Sequence, residues 1–269
     1  MTTTSTAPTS APEIRVRGKQ RTPLLVGLAL LAATIAGATH LEVSLESVLA
    51  AIPAFVQFTA ENMWPPDFSG FAGLLDATLV TIEVAFLGTA AAVLISLPIS
   101  ILAARNLTPH PVVFSVARGF VMVCRAIPDF VFAIMFIAAL GLGALPGILG
   151  LAIHSIGMLG KVFAERIEEV DPGPGEALAA VGASKLQVVK LAILPQVVPS
   201  LVANTLYRFD INIRSSIVLG IVGAGGIGYE LVTALQSLDY QRAGAVLIVV
   251  LIVVAVVEAV SNRIRRHYL

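Results

Sequence analysis

The sequence is short of charged side chains. Only 13% of its 269 residues are Asp, Glu, Lys or Arg, whereas 57% are hydrophobic, and the mean hydropathy is +0.91. Soluble domains carry about 25% charged residues. Because so few polar side chains are present to cover a particle of this length, the composition excludes an ordinary soluble domain. It predicts an all-α polytopic membrane protein.

Side chains that support catalysis or metal binding are equally scarce. The one cysteine, Cys124, excludes an intrachain disulfide, and the four histidines are scattered without the spacing of metal ligands. The motifs H-x-x-x-H, G-x-S-x-G, C-x-x-C and G-x-x-x-x-G-K-[ST] are absent. We therefore expect no catalytic residue, no metal site and no cofactor in this chain, and the protein is not expected to be an enzyme.

Long apolar runs are what the sequence does have. Six of them, of about 20 residues each, fit the hydrocarbon core of a bilayer. The predicted spans are residues 24–40, 75–104, 120–142, 145–164, 197–222 and 243–262. Residues 1–23 are rich in Thr, Ser, Ala and Pro and are expected to be a disordered N-terminus. A basic cluster before the first run also fits a signal peptide, but no small-x-small cleavage site stands out, which favours an uncleaved anchor.

Lys and Arg are absent from the whole stretch between Arg21 and Arg105. Lys and Arg collect in cytoplasmic loops, so a loop without them is expected on the outer side. Residues 41–73 carry four acidic side chains instead, which predicts an outer loop. Basic residues recur near residue 118, between residues 161 and 190, and in the tail, residues 263–269. This distribution predicts that both termini are cytoplasmic.

The longest predicted inner segment, residues 165–196, has the pattern of two short helices. Glu176 lies in the first turn of the first helix, where a carboxylate suits the helix dipole, and Gly182 ends that helix. Ser184, followed three residues later by glutamine, predicts a capping box for the second helix. Leu194-Pro195 predicts the end of the second helix. Such a segment either docks on a soluble partner or is an ordinary amphipathic loop.

This segment resembles the "EAA" loop of the permeases of ATP-binding-cassette (ABC) importers. Two positions, Leu178 and Ala192, depart mildly from the usual pattern. In that family the loop forms coupling helices that sit in a cleft on the ATPase subunit. The resemblance therefore assigns ATPase coupling to Glu176, Ala177, Gly182, Ala183, Leu194 and Pro195.

A narrower resemblance covers residues 75–262. The stretches "LPISILAARNLTPHP", "RAIPDFVFAIMF", "IHSIGMLGKVFAERIEEVDPGPGEAL", "ILPQVVPSLVANTLYRFDINIRSS" and "LGIVGAGGIGYEL" together resemble the phosphonate-importer permease. The resemblance implies an ABC-importer type I permease core, similar to the methionine-importer permease. Residues 24–74 would add an N-terminal transmembrane helix and an outer loop.

The same resemblance implies the function, the partners and a location in the bacterial cytoplasmic membrane. The substrates would be phosphonates or related phosphorus oxyanions such as phosphite and phosphate. A second permease chain, in a homodimer, two ATPase subunits that bind ATP and Mg, and an extracytoplasmic substrate-binding protein would complete the importer. A permease for another small solute such as methionine, or a stand-alone secondary transporter, remains an alternative.

The fifth predicted span contains charged residues: Arg208, Asp210 and Arg214, together with Asn212. Each charge at the bilayer centre costs about 2.5–3.5 kcal/mol on insertion scales, so these side chains should face protein or water. Asp210 and Arg214 are four residues apart and can pair along one helix face. Either the charges fix helix packing, or Arg208 or Arg214 attracts an anion on the pathway. His154, beside Ser155, either faces the pathway or bonds a neighbouring carbonyl.

The stretch "GAGGIG" has the G-x-G-x-x-G spacing of a dinucleotide-binding turn. That turn needs an acidic residue about 20 positions further on, whereas Asp239 follows Gly228 by only 11. The preceding residues also end a membrane span instead of a strand. We therefore predict a gate or hinge at the outer end of this span, formed by Gly223, Gly225, Gly226 and Gly228.

Overall fold

The computed structural model describes residues 21–268, and over this range the chain is a series of helices without a strand. Their bounds are α1 (Arg21–His40), α2 (Leu45–Asn62), α3 (Phe71–Ala103), α4 (Pro111–Ala126), α5 (Asp129–Leu140), α6 (Ala144–Glu168), α7 (Gly173–Ala180), α8 (Lys185–Val188), α9 (Leu194–Leu219), α10 (Ile227–Gln236) and α11 (Tyr240–Tyr268). A π-helical turn, Val189–Ile193, joins α8 to α9, and a second, Gly220–Ala224, follows α9.

The number of spans agrees with the sequence. Within the described residues, five helical stretches are long and apolar enough to cross a membrane, and the bent pair of α4 and α5 makes six if it counts as one span. The prediction of an all-α fold with about six spans is thus confirmed. Of the N-terminal segment predicted to be disordered, residues 1–20 lie outside the described range. Residues 21–23 are helical, because α1 begins at Arg21.

Contacts divide the chain into two units, one ending at Thr59 and the other beginning at Ala60. The first unit contains α1 and most of α2, joined by a short turn over residues 41–44. In the second unit α3 packs along α6, and α9 packs against both. The chain therefore brings polar residues from three long helices to one place.

Small residues allow the helices of the second unit to approach closely. A methyl group placed on Gly88 of α3 would lie 2.9 Å from the Cβ of Leu151 in α6. A methyl group on Gly150 would lie 2.8 Å from the backbone nitrogen of Ala133 in α5. Without a hydrophobic driving force between helices in lipid, such close backbone contact is what holds membrane helices together.

The prediction of a third span over residues 120–142 is wrong if that span is taken as a single straight helix. The helix begins earlier, at Pro111, and ends at Ala126, and α5 then leaves at an angle of 83°. Pro128 has no N–H to continue the ladder, and the residue before a proline is forced towards extended backbone. Ile127 accordingly has φ −98° and ψ 126°.

The prediction that Leu194-Pro195 ends a helix is also wrong. The helix continues from α8 through the π-helical turn into α9, and the N–H of Leu194 donates to the carbonyl of Val189, five residues back. This shift of the hydrogen-bond ladder by one residue accommodates the proline, whose missing N–H falls in the first turn of α9. The inner segment is therefore rigidly continuous with the fifth span.

The rest of the inner segment has the predicted form. Helix α7 ends before Gly182, whose φ of +85° is a conformation that side chains other than glycine rarely adopt. Ser184 and Gln187 form the predicted capping box. The segment predicted as an outer loop, residues 41–73, contains a helix that the sequence analysis did not predict, α2. A further helix outside the predicted spans, α10, follows the glycines.

Candidate functional site

A buried polar network joins three membrane-spanning helices. The guanidinium Nε of Arg208 in α9 donates to the hydroxyl of Ser155 in α6 at 2.8 Å. The Asn212 amide, one turn further along α9, donates to the same hydroxyl at 3.1 Å and to the hydroxyl of Thr89 in α3 at 2.8 Å. All four side chains are buried. The network therefore ties α3, α6 and α9 together by hydrogen bonds in their shared interior.

Arg208 is the unbalanced charge of this network. Its side chain is only 5% exposed, and it makes no ion pair within 4 Å with any residue in the described range. One of its terminal nitrogens, Nη2, is buried without a hydrogen-bond partner. Asp129, at the start of α5, acts on Arg208 electrostatically but lies beyond ion-pair distance. A buried cation in this state is costly unless another group neutralises it.

His154 lies beside this network, at the bend between α4 and α5. Its Nδ1 lies 2.9 Å from the carbonyl oxygen of Ile127, the residue whose extended backbone makes the bend. This is the carbonyl contact that the sequence analysis offered as one alternative for the histidine. It holds α6 against the bend, and whether His154 also faces the substrate stays a prediction.

Asp210 and Arg214 form the ion pair that their spacing predicted. The carboxylate is buried, with 5% of its side chain exposed, whereas the Arg214 side chain is 48% exposed. The structure therefore separates the two arginines of α9. Arg214 is neutralised by a carboxylate on its own helix, and Arg208 is not.

We expect the variant Arg214→Gln to lower the amount of assembled permease, because it leaves the buried carboxylate of Asp210 without its cation. A buried group left unsatisfied costs about 1–3 kcal/mol. The double variant Asp210→Asn with Arg214→Gln should restore assembly, since two neutral amides can bond each other. The measurement is the yield and melting temperature of the purified membrane complex. Equal yields for the single and double variants would contradict the pairing role.

The four glycines of the predicted hinge lie where α9 gives way to α10. Gly225 has φ 83° and ψ −164°, and Gly226 has φ 73° and ψ −161°, a region of backbone conformation that is essentially restricted to glycine. The N–H of Ile227, the first residue of α10, donates to the hydroxyl of Thr81 in α3 at 2.8 Å. The break in the helix is therefore fixed by a contact with α3.

Gly228 serves a different purpose from its neighbours. Its backbone approaches Gly220 so closely that a methyl group on Gly220 would lie 2.8 Å from the Cα of Gly228. A methyl group on Gly228 itself would collide with the carbonyl of Ile217. The chain thus folds back on itself here, with two glycines at the point of contact.

The predicted coupling residues lie together on the exposed inner segment. Helix α7, which carries Glu176 and Ala177, has no buried residue. The backbone N–H of Asp171, just before α7, donates to the side chain of Gln196 in α9 at 3.1 Å. This hydrogen bond joins the segment just before α7 to the first turn of α9. Leu194 and Pro195 lie within that helix, not in a loop.

An ion pair near this segment escaped the sequence analysis. Arg118 in α4 donates to both carboxylate oxygens of Glu168 at the end of α6, at 2.9 and 3.0 Å, and to the carbonyl of Ala103 at the end of α3 at 2.9 Å. The pair joins the ends of three helices. Its partners are 50 residues apart, so no local spacing indicated it. Thr81 and Thr89 were missed as well, although a hydroxyl in an apolar span is itself a signal.

Comparison with known proteins places this geometry in a family. The family model described as "Binding-protein-dependent transport system inner membrane component" matches residues 96–268. The chain is 45% identical over 222 residues to the phosphite transport system permease protein PtxC of Stutzerimonas stutzeri, which covers 82% of this chain and 80% of that protein. It is 49% identical over 206 residues to the phosphate-import permease protein PhnE of Mycolicibacterium smegmatis, covering 77% of this chain and 39% of that longer protein.

Among solved structures, the chain is similar to one in an inward-facing conformation of the MetNI methionine ABC transporter. The TM-score is 0.63 at 21% identity, over 73% of this chain and 96% of that one. At this identity the similarity shows the fold alone. With the family model matched over most of the chain and a close relative aligned over most of both lengths, this membrane-embedded chain belongs to the binding-protein-dependent inner membrane components, the permease subunits of ABC importers.

Proposed function

We propose that this permease imports phosphorus oxyanions: phosphonates, phosphite or phosphate. Two relatives at 45% and 49% identity are named for phosphite transport and phosphate import. The structural observation that carries the proposal is Arg208, a buried cation inside a membrane-spanning helix that has no ion-pair partner among residues 21–268. Intramembrane charges of this kind mark substrate pathways. An oxyanion would supply the negative charge that Arg208 lacks.

The guanidinium of Arg208 suits an oxyanion. A guanidinium bonds phosphate oxygens through its N–H groups, and here Nε is used by Ser155 while Nη2 is unused. The Thr89 hydroxyl donates to the carbonyl of Ala85, the Ser155 hydroxyl to the amide oxygen of Asn212, and the Asn212 amide nitrogen to both hydroxyls. These neighbours therefore hold the guanidinium in place and leave Nη2 as the donor for an anion. Arg214 already has Asp210 as its counter-ion, so it contributes less attraction. The site would tolerate several phosphorus oxyanions, and discrimination between them would rest on the binding protein.

We infer the partners from membership of the ABC-importer permeases. A homodimer of this chain, two ATPase subunits that bind ATP and Mg, and an extracytoplasmic binding protein would make up the importer. Both termini would be cytoplasmic, with α7 seated on the ATPase. Closure of the ATPases on ATP would move α7, and the tie from Asp171 to Gln196 would carry that movement into α9. The bundle would then open outward and receive the anion.

The test is uptake into proteoliposomes that contain this permease with its cognate ATPase and binding protein. We expect uptake of phosphate, phosphite or methylphosphonate, and this uptake should require ATP on the side of the membrane that carries the ATPase. We expect no uptake of methionine. The control is the same preparation with a non-hydrolysable ATP analogue. Methionine uptake would favour the alternative solute on the same fold. Uptake without ATP or ATPase would show a stand-alone transporter, and either result would overturn the proposal.

A further inference from the structure

Helix α2 has a one-sided distribution of apolar side chains. Along its 18 residues, six large apolar residues recur at a spacing of three and four and so lie on a single face. They are Leu45, Val48, Leu49, Ile52, Phe55 and Val56. The other side of the helix carries Glu46, Ser47, Ala50 and Ala54, together with one large apolar residue, Phe58. We call the six large residues the apolar stripe of α2.

The apolar stripe is uncovered. Each of its six side chains is between 48% and 76% exposed, and α2 has no buried residue. A contiguous exposed apolar surface of this kind marks a site of interaction with protein or membrane. The stripe is therefore expected to have an occupant outside the chain.

Helix α1 provides the contrast within the same unit. It is apolar around its whole circumference and long enough to cross a membrane. Helix α2 is polar on one side, and in the described range it is not among the helices apolar enough to cross. A helix that is apolar all round is suited to span lipid, whereas a one-sided helix is suited to lie in the plane of the interface.

The chain connections keep α2 at the membrane surface. Only residues 41–44 separate it from the end of α1, and four extended residues reach at most about 14 Å. Ser44 and Ser47 fix the start of α2 by bonding each other's backbone N–H groups at 3.0 and 3.2 Å. After α2, eight residues lead to α3, which is a span. Both ends of α2, which is about 27 Å long, therefore stay within reach of the same surface.

The residue composition also favours lipid. Trp64 follows α2 directly and is 68% exposed, and tryptophan is enriched at the level of lipid headgroups. The whole segment between Arg21 and Arg105 lacks Lys and Arg. Attachment would therefore depend on apolar area and not on attraction to anionic headgroups.

We propose that α2 is an interfacial helix that lies in the plane of the bilayer, with its apolar stripe against the lipid acyl chains. The occupant of the stripe is the lipid surface. Helix α2 thereby anchors the connection between the first two spans along the membrane. The proposal is independent of the transported substrate, so failure of one would not affect the other.

The test places a single nitroxide label on each face of α2 in the assembled transporter. Cys124 is replaced by alanine, and cysteine is introduced as Ile52→Cys or Phe55→Cys on the stripe and as Ala50→Cys or Ala54→Cys on the opposite face. The complex is reconstituted in vesicles of phosphatidylethanolamine and phosphatidylglycerol. Collision rates of the label with oxygen, which concentrates in lipid, and with a water-soluble nickel chelate are measured, and uptake is checked for each variant.

We expect the oxygen-to-nickel collision ratio to be several-fold higher at the two stripe positions than at the two opposite positions. Equal, water-like ratios on both faces would show that α2 stands in solvent. Labels on the stripe that are immobilised and shielded from both reagents would show a protein occupant, either a second copy of the chain or the binding protein. Either of these two results would overturn the proposal.

Discussion

Replacing Gly226 with valine is expected to reduce uptake by about 10- to 100-fold while the permease still assembles with its ATPase. Gly226 has φ 73° and ψ −161°, a conformation that costs a side-chain-bearing residue about 1–3 kcal/mol. A Cβ at this position would also collide with the hydroxyl of Thr81, which holds the start of α10. Since 1.4 kcal/mol is a factor of ten, the strain and the collision together correspond to this range.

Assembly should be unaffected because the coupling segment lies at the other end of α9. The 26 residues of that helix separate the two by about 39 Å. Gly225→Val isolates the backbone strain, since no atom lies within 4 Å of a Cβ there, and should reduce uptake less. Gly119→Val is the matched control, a glycine of ordinary helical φ in open space, and should transport normally.

The measurement is ATP-dependent uptake normalised to the amount of complex that co-purifies with the ATPase. Uptake at the wild-type rate in Gly226→Val would contradict the hinge prediction. Loss of the complex would show instead that the glycines are needed only for folding.

Arg208→Met is expected to lower oxyanion uptake by about 10- to 100-fold without loss of assembly. A hydrogen bond to a charged group contributes about 1.5–3 kcal/mol, which corresponds to this range. Methionine keeps the volume of the side chain, and it removes a buried charge that has no counter-ion within 4 Å among the described residues. Exchanging a poorly compensated buried charge for an apolar group is often neutral or stabilising.

We therefore expect Arg208→Met to lower transport without lowering the stability of the complex. The melting temperature of the Arg208→Met complex should be equal to or above that of the wild type, while uptake falls. Arg214→Met is the matched control on the same helix, and it should lower the melting temperature because it leaves buried Asp210 unpaired. Normal transport by the Arg208→Met complex would show that the guanidinium is not needed for the anion, and failure to assemble would show that it holds the helices together.

The membrane architecture could be predicted because hydropathy acts locally. Each span must satisfy its own backbone hydrogen bonds in lipid, so the length of an apolar run is enough to indicate a helix. The errors in the predicted helices arose at prolines. Pro128 bends the chain by 83°, whereas Pro195 does not interrupt its helix, because a π-helical turn shifts the ladder beside it. Apolarity alone cannot distinguish these two outcomes.

The site was predicted in part for the same kind of reason. The pair of Asp210 and Arg214 follows from a spacing of one turn on a single helix, and the break at Gly223–Gly228 follows from the glycines themselves. Thr89 and the pair of Arg118 and Glu168 depend on contacts between helices that are distant in the chain. Sequence alone does not show which residues of two distant helices lie opposite each other.

Composition and motif order by themselves determined that this is a membrane permease, because insertion into lipid and the motifs are properties of short stretches. Only the tertiary structure decided that Arg208 has no ion-pair partner. The spacing of one turn to Asp210 singles out Arg214, but it leaves open whether Arg208 meets a carboxylate on another helix. Packing buries Arg208 against Ser155 with no carboxylate within 4 Å among the described residues, and it leaves Arg214 half-exposed beside Asp210. The physical reason is that charge compensation depends on distances across helices, and those are set by the packing of small residues.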